Sequence, residues 1–176
     1  MILRKINAWL SLITAVLFLD HAIFRAVWML SRGGIEKNAG ILTRILFGLM
    51  VLHAIISIVL AVLGHKGVEK SKCNSYANMN RMTYIQRTSG VLLLPLIMLH
   101  ILGTVGVLQP PPAVHAILPP AFFAICLIHT AISTNKAFIT LGIGNAKSIK
   151  ILDIAIKVIC GMIWISDVSG FYIYLV

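Results

Sequence analysis

His21, His53, His100 and His129 each fall inside a different one of four consecutive apolar runs, while His65 and His115 fall at run ends or in connections. At an end, a solvated ring needs no special account. Inside a hydrocarbon layer an ionisable ring is costly, and such a residue faces a partner, a cavity or a bound group. A neutral imidazole there can ligate a metal, pass a proton, or satisfy a helix–helix hydrogen bond. For one histidine the hydrogen bond would suffice. Four in four consecutive segments raise the question of whether their depths match, which depends on the elements that carry them.

The 176 residues are 59% hydrophobic and 11% charged, with a mean hydropathy of +0.97. That composition belongs to the membrane class. Apolar runs occupy about 6–30, 40–64, 88–108, 113–134 and 149–175. Each can cross a ~30 Å hydrocarbon core, which takes roughly 20 helical residues. A membrane barrel would instead show alternating segments of ~10 residues. The fold expected is all-α, five transmembrane helices forming a single domain over residues 1–176. The first run is too long for a signal-peptide core, contains Asp20 and His21, and is followed by no A-x-A-like cleavage site, so it is expected to remain as the first helix.

Fifteen Lys and Arg against five Asp and Glu give a formal charge of +10. Their distribution points to a membrane and away from nucleic acid. Arg4 and Lys5 precede the first helix; Lys66, Lys70, Lys72, Arg81 and Arg87 lie between the second and third; Lys136, Lys147 and Lys150 lie between the fourth and fifth. The segment QPPPAVH and the end YIYLV have neither Lys nor Arg. An excess of Lys and Arg marks cytoplasmic loops. The expectation is a multi-pass protein of the cell inner (cytoplasmic) membrane, N-terminus cytoplasmic and C-terminus outside. Arg25, Arg32, Lys37 and Arg44 around the first outer loop run against that pattern. The polar segment from His65 to Arg87 is the best cytoplasmic docking surface, with GIGNAKSIK (142–150) second. Cys73, Cys126 and Cys160 read as free thiols, with no C-x-x-C pair to hold zinc or an iron–sulfur cluster.

With that orientation the histidines can be placed in depth. At 1.5 Å per residue, His21 and His100 lie roughly 21 and 20 Å above the inner ends of their helices, and His53 and His129 roughly 16 and 9 Å. They sort into an outer pair, His21 with His100, and an inner pair, His53 with His129. Two pairs at two depths in a four-helix core are what two stacked haems require, each iron taking one imidazole from each of two facing helices. A cluster of two or three histidines on one metal would need a single level. Small residues near the rings (Ala22, Ala54, Ser57, Gly103, Thr130, Ala131) would admit a flat macrocycle, and Pro95 would bend the third helix before His100. Propionates would find Gln86, Arg87, Ser89 and Lys136 at the inner side and Arg25 and Arg44 at the outer side. The fifth helix has no histidine and is expected to be a supporting one. Asp153 and Lys157, four apart, are expected to pair with each other.

The run SYANMNRMTYIQRTSGVLLLPLIMLH resembles a haem helix of the five-helix, dihaem cytochrome b subunits of succinate:menaquinone and quinol:fumarate oxidoreductases. In that family a Q-R-x-[ST]-G stretch leads to a ligand histidine about ten residues beyond the glycine; here it reads Gln86, Arg87, Thr88, Ser89, Gly90 and then His100. LSLITAVLFLDH resembles the first haem helix, ending on His21, and HTAISTNKAFITLGI a segment in which the ligand histidine precedes a W-G-like turn. The resemblance implies two haems b, the distal on His21 and His100 and the proximal on His53 and His129. It also implies an FAD-containing flavoprotein and an iron–sulfur subunit on the cytoplasmic face. Electrons would pass between that subunit and membrane quinone, with menaquinone expected. The dicarboxylate chemistry would be done by the flavoprotein, and this chain would be a non-catalytic electron-transfer anchor. Glu36 and Asp167 are the acidic candidates near an outer quinone.

Two positions depart from the family pattern. Leu127 stands where some relatives place a proton-transferring glutamate, and Leu141 stands where a tryptophan is common. Three other readings therefore stay open: a cytochrome b of another membrane oxidoreductase (hydrogenase or formate dehydrogenase type), a transporter or proton conductor whose histidines bind no haem, and a passive anchor.

Overall fold

The computed structural model describes residues 2–31, 40–65, 76–104, 106–108 and 111–175. They form five helices: α1 (Ile2–Leu30), α2 (Gly40–His65), α3 (Tyr76–Thr104), α4 (Pro112–Leu141) and α5 (Ala146–Leu175). Stretches in α1 to α4 are long and apolar enough to cross a bilayer: Ile2–Leu30, Gly40–Val62, Arg81–Gly103 and Ile117–Leu141. The chain is thus an all-α, multi-pass membrane protein with four candidate spans.

Several helices outrun the apolar segments that announce them. α3 begins at Tyr76 rather than near 88, so much of the expected inner loop, YANMNRMTYIQR, is helical. α4 continues through NKAFITL to Leu141 rather than ending near 134. Hydropathy marks the part of a helix that meets lipid, whereas the backbone hydrogen bonding that defines the helix continues into water or against neighbours. The remainder of that loop, with Cys73, lies outside the described residues.

The ends of α4 and the start of α5 follow from their residues. Pro111 is the N-cap of α4 (φ −53°, ψ 150°) and Pro112 opens the helix, where a missing N–H costs no helical bond. Pro111 and Pro112 thus start a helix. At the other end Gly142 turns left-handed (φ 71°). Its N–H reaches the Ile139 carbonyl at 3.2 Å while the Ile143 N–H reaches that of Phe138 at 3.1 Å, a Schellman stop. Asn145 then caps α5: the Ser148 N–H donates to Asn145 Oδ1, and the Asn145 N–H donates to Ser148 Oγ, each at 2.9 Å. This reciprocal cap makes the reversal between α4 and α5 short.

Lipid tails are as apolar as leucine, so close packing rather than water exclusion must hold such helices together, and small residues let backbones approach. α1 supplies them on one face: Ala8, Ser11, Ala15, Ala22 and Ala26 are buried, with Met29. That face makes α1 a hub, packed against α2, α4 and α5. α4 packs against α1, α3 and α5. The largest buried cluster joins Ala22 of α1 with Phe123, Leu127 and Ala131 of α4 and Cys160 and Ile163 of α5. α5 is therefore part of the apolar core rather than only a supporting helix. Ala22 and Ala131, expected beside the rings, are buried in this cluster. α2 packs mainly on α1 and α3 mainly on α4; among the described residues α2 and α3 form no extended contact with each other.

Candidate functional site

The inner level is built from four helices. Lys136, Ser133 and His129 lie at i, i−3 and i−7 on one face of α4. Thr83, Gln86 and Ser89 are spaced by three on α3. Lys136 Nζ donates to Thr83 Oγ1 at 2.8 Å and to Gln86 Oε1 at 2.9 Å. The Gln86 amide donates to Ser133 Oγ at 3.0 Å, and Ser133 Oγ lies 3.2 Å from His129 Nε2. On the other side of the ring Ser89 Oγ lies 2.9 Å from Nδ1. A polar chain thus runs from an ammonium group to the imidazole. Gly90 completes the approach of α3: a Cβ there would stand 3.1 Å from His129 Cε1.

His53 of α2 belongs to the same level. Its ring faces the Asn7 backbone of α1, while Ser57, one turn along, donates to Asn7 Oδ1 at 3.2 Å. His53 and His129 are close enough for their charges to interact. His53 Nδ1 is buried without a hydrogen-bond partner among the described residues. A buried imidazole nitrogen with no partner is a costly arrangement unless something binds it.

The outer level is more apolar. His100 stacks on Phe122, with ring centroids 5.1 Å apart and an interplanar angle of 28°. Phe122 clusters with Leu93 and Cys126, and with Phe18, Leu96, Ile97 and Ile125 at its edge. His21 is half-buried, three residues beyond Phe18, whose ring tilts against Phe123 at 5.9 Å. One turn beyond His21, Arg25 Nε lies 3.1 Å from Asp167 Oδ1, and its guanidinium carbon lies 5.6 Å from the Phe123 centroid. The pair is deep, with Asp167 only 1% exposed.

The six propionate candidates therefore divide. Gln86, Ser89 and Lys136 converge at the inner level, and Arg87 is within electrostatic range of Lys136. Arg25 is engaged by Asp167, a candidate for the quinone site, and Arg44 is exposed. Glu36, the other quinone candidate, lies outside the described residues. Asp153 and Lys157 form the ion pair their spacing predicts, joined by Asn135 Nδ2, which donates to Asp153 at 3.0 Å. Thr83, Ser133, Asn7 and Ser57 escaped the sequence reading as partners. Ser133 had a signal, lying one turn from both His129 and Lys136; Asn7 had none short of knowing which helices pack.

A bis-histidine haem fits the inner donor set. Two imidazoles on different helices are within electrostatic range of each other, one has an orphaned buried nitrogen, and the other is linked through Ser133 to an amide and an ammonium group. Among the described residues no three His, Cys, Asp or Glu side chains converge as a metal-binding group. A groove of about 470 Å³ between α4 and α5, lined by Ala124, Ala131, Gly161 and Trp164 among others, includes none of the four histidines. No protein-family model, curated protein or solved structure matches the chain.

Proposed function

We propose that this chain is a haem b-binding membrane subunit that relays electrons between an iron–sulfur subunit at the cytoplasmic face and membrane quinone. It would act as the anchor of a complex of the succinate dehydrogenase or fumarate reductase type. The observation that carries the reading is the inner level: His53 with its orphaned nitrogen, beside a His129 wired through Ser133 and Gln86 to Lys136. In this reading His53 and His129 would hold a proximal haem b, and His21 and His100 a distal one. Bound haem would supply one-electron redox chemistry.

The chain's own residues supply position and charge. Ser89 and Gly90 seat the His129 ring. Lys136, with Arg87 near it and two neutral partners, would balance carboxylates at the inner end. Phe122 holds the His100 ring in an apolar outer layer. The QRTSG stretch supports the succinate and fumarate type over a hydrogenase or formate dehydrogenase cytochrome b, and it is also what implies the FAD-containing and iron–sulfur partners. One observation favours a second reading: the continuous chain from Lys136 to His129 could also conduct protons in a protein that binds no haem.

A pyridine haemochromogen assay on the purified chain, produced with haem supplied, separates the two. The expected result is about two haems b per chain, falling to one in His53→Ala or His129→Ala. A folded chain with no haem would sink the electron relay and leave proton flux in proteoliposomes as the next measurement.

A further inference from the structure

We infer that Ser89 is the positioning residue of the inner site, fixing His129 as the tautomer that carries its proton on Nδ1 and presents a bare Nε2. The directions of the hydrogen bonds carry this, assigned as the arrangement that leaves no hydrogen of the network without an acceptor. A lysine ammonium has no acceptor, so the Gln86 atom facing Lys136 at 2.9 Å is Oε1 and the amide nitrogen faces Ser133. The Ser89 hydroxyl has one hydrogen and two acceptors within reach, the Gln86 carbonyl at 3.1 Å and His129 Nδ1 at 2.9 Å. Only the first choice gives both serine hydrogens an acceptor among the described residues: Ser89 Oγ then accepts from an Nδ1 that holds the proton. The second would put the proton on Nε2, facing the Ser133 hydrogen. In a neutral ring Nε2 is then unprotonated. Ser133, already accepting from Gln86, has its own hydrogen to offer that nitrogen at 3.2 Å. A doubly protonated ring would leave that hydrogen without an acceptor among the described residues. Both hydroxyls are buried, Ser89 at 7% and Ser133 at 5% exposure, so water does not scramble the pattern.

The consequence rests on the haem reading, although the tautomer does not. An iron-ligating imidazole needs a bare nitrogen on the metal side and a hydrogen-bonded N–H on the other, and that outer partner sets ring orientation and basicity. Ser89 would be that partner, and the Ser133 hydroxyl the group a metal displaces from Nε2.

The test uses the full chain in detergent, haem-free and ¹⁵N-labelled at histidine, with ring-nitrogen shifts read by NMR and His129 assigned by its loss in His129→Gln. The expected wild-type signature is a protonated Nδ1 and a bare Nε2. Ser89→Ala should move the ring toward the Nε2–H tautomer, and Ser89→Thr, which keeps the hydroxyl, should restore it. A wild-type proton on Nε2, or a Ser89→Ala ring with the wild-type pattern, would overturn the assignment. Haem titration forms the second arm: Ser89→Ala should weaken inner loading about tenfold, and Ser89→Thr should restore it. If no variant binds haem while the shifts follow the pattern, the haem reading fails and the role of Ser89 stands.

Discussion

At Gly90 the distance to the histidine ring leaves room for a hydrogen and little more. A methyl group there would lie 3.1 Å from His129 Cε1 and 3.7 Å from Nδ1, so in Gly90→Ala the ring must move by a few tenths of an ångström. The same change favours the helix, since alanine is better than glycine in a helix interior by about 1 kcal/mol. The expected outcome is a variant at least as heat-stable as the parent but with haem content falling from about two per chain toward one. Retention of both haems would show that the close approach of α3 does not matter to loading. This part of the site was legible in sequence because its residues are local. QRTSG put Gln86, Arg87, Ser89 and Gly90 on one helical stretch, and Lys136 follows His129 by two turns. What joins them was less legible: Ser133 and Thr83 are common residue types whose importance comes only from how α3 lies on α4.

Between elements, the α1–α5 contact combines a close backbone approach with a buried ion pair. Arg25 and Asp167 read in sequence as belonging to two different sites, because nothing there reveals that residues so far apart face each other. A Cβ on Gly170 would stand 3.0 Å from Met29 Cβ and 3.4 Å from the Leu30 backbone nitrogen. Gly170→Leu should therefore pry the outer half of α5 from α1 and lower the unfolding temperature in detergent. The ion pair makes a sharper case. Removing one partner of a buried pair strands the other charge and costs about 3–5 kcal/mol, whereas replacing both with apolar residues of similar size is often neutral. Asp167→Leu alone should destabilise the chain strongly, and Arg25→Met with Asp167→Leu should recover most of the loss. Equal destabilisation by the single and double variants would mean that packing, not charge, is what Asp167 contributes. The helix count was readable from hydropathy, but the central place of α5 was not. Its core residues Cys160 and Ile163 look no different in sequence from the exposed Ile165 and Met162 on the same helix.

For the whole molecule, the number of crossings decides where the proposed partner subunits could dock. Four helices carry candidate spans, and α5 is of similar length but holds Lys147, Lys150, Asp153, Lys157 and Asp167. Those charges do not forbid a crossing. Asp153 and Lys157 neutralise each other, and Asp167 is buried against Arg25 rather than facing lipid, which is how ionisable groups are tolerated at depth. Lys147 and Lys150 then belong to the end of α5 that follows the short turn from α4. Five crossings put the two termini on opposite sides of the membrane, and four put them on the same side. With Arg4 and Lys5 near the N-terminus, Lys136, Lys147 and Lys150 flanking the α4–α5 turn and no Lys or Arg in YIYLV, the positive-inside rule favours the five-crossing arrangement. Reporter fusions active only in the cytoplasm or only outside it, attached at residue 1, after Gly144 and after Val176, should report inside, inside and outside. That result would leave the polar start of α3, the α4–α5 turn and the Lys136 end of the inner site on one cytoplasmic face, next to the proposed iron–sulfur subunit. A cytoplasmic C-terminus would remove α5 from the set of crossings and overturn the five-span anchor.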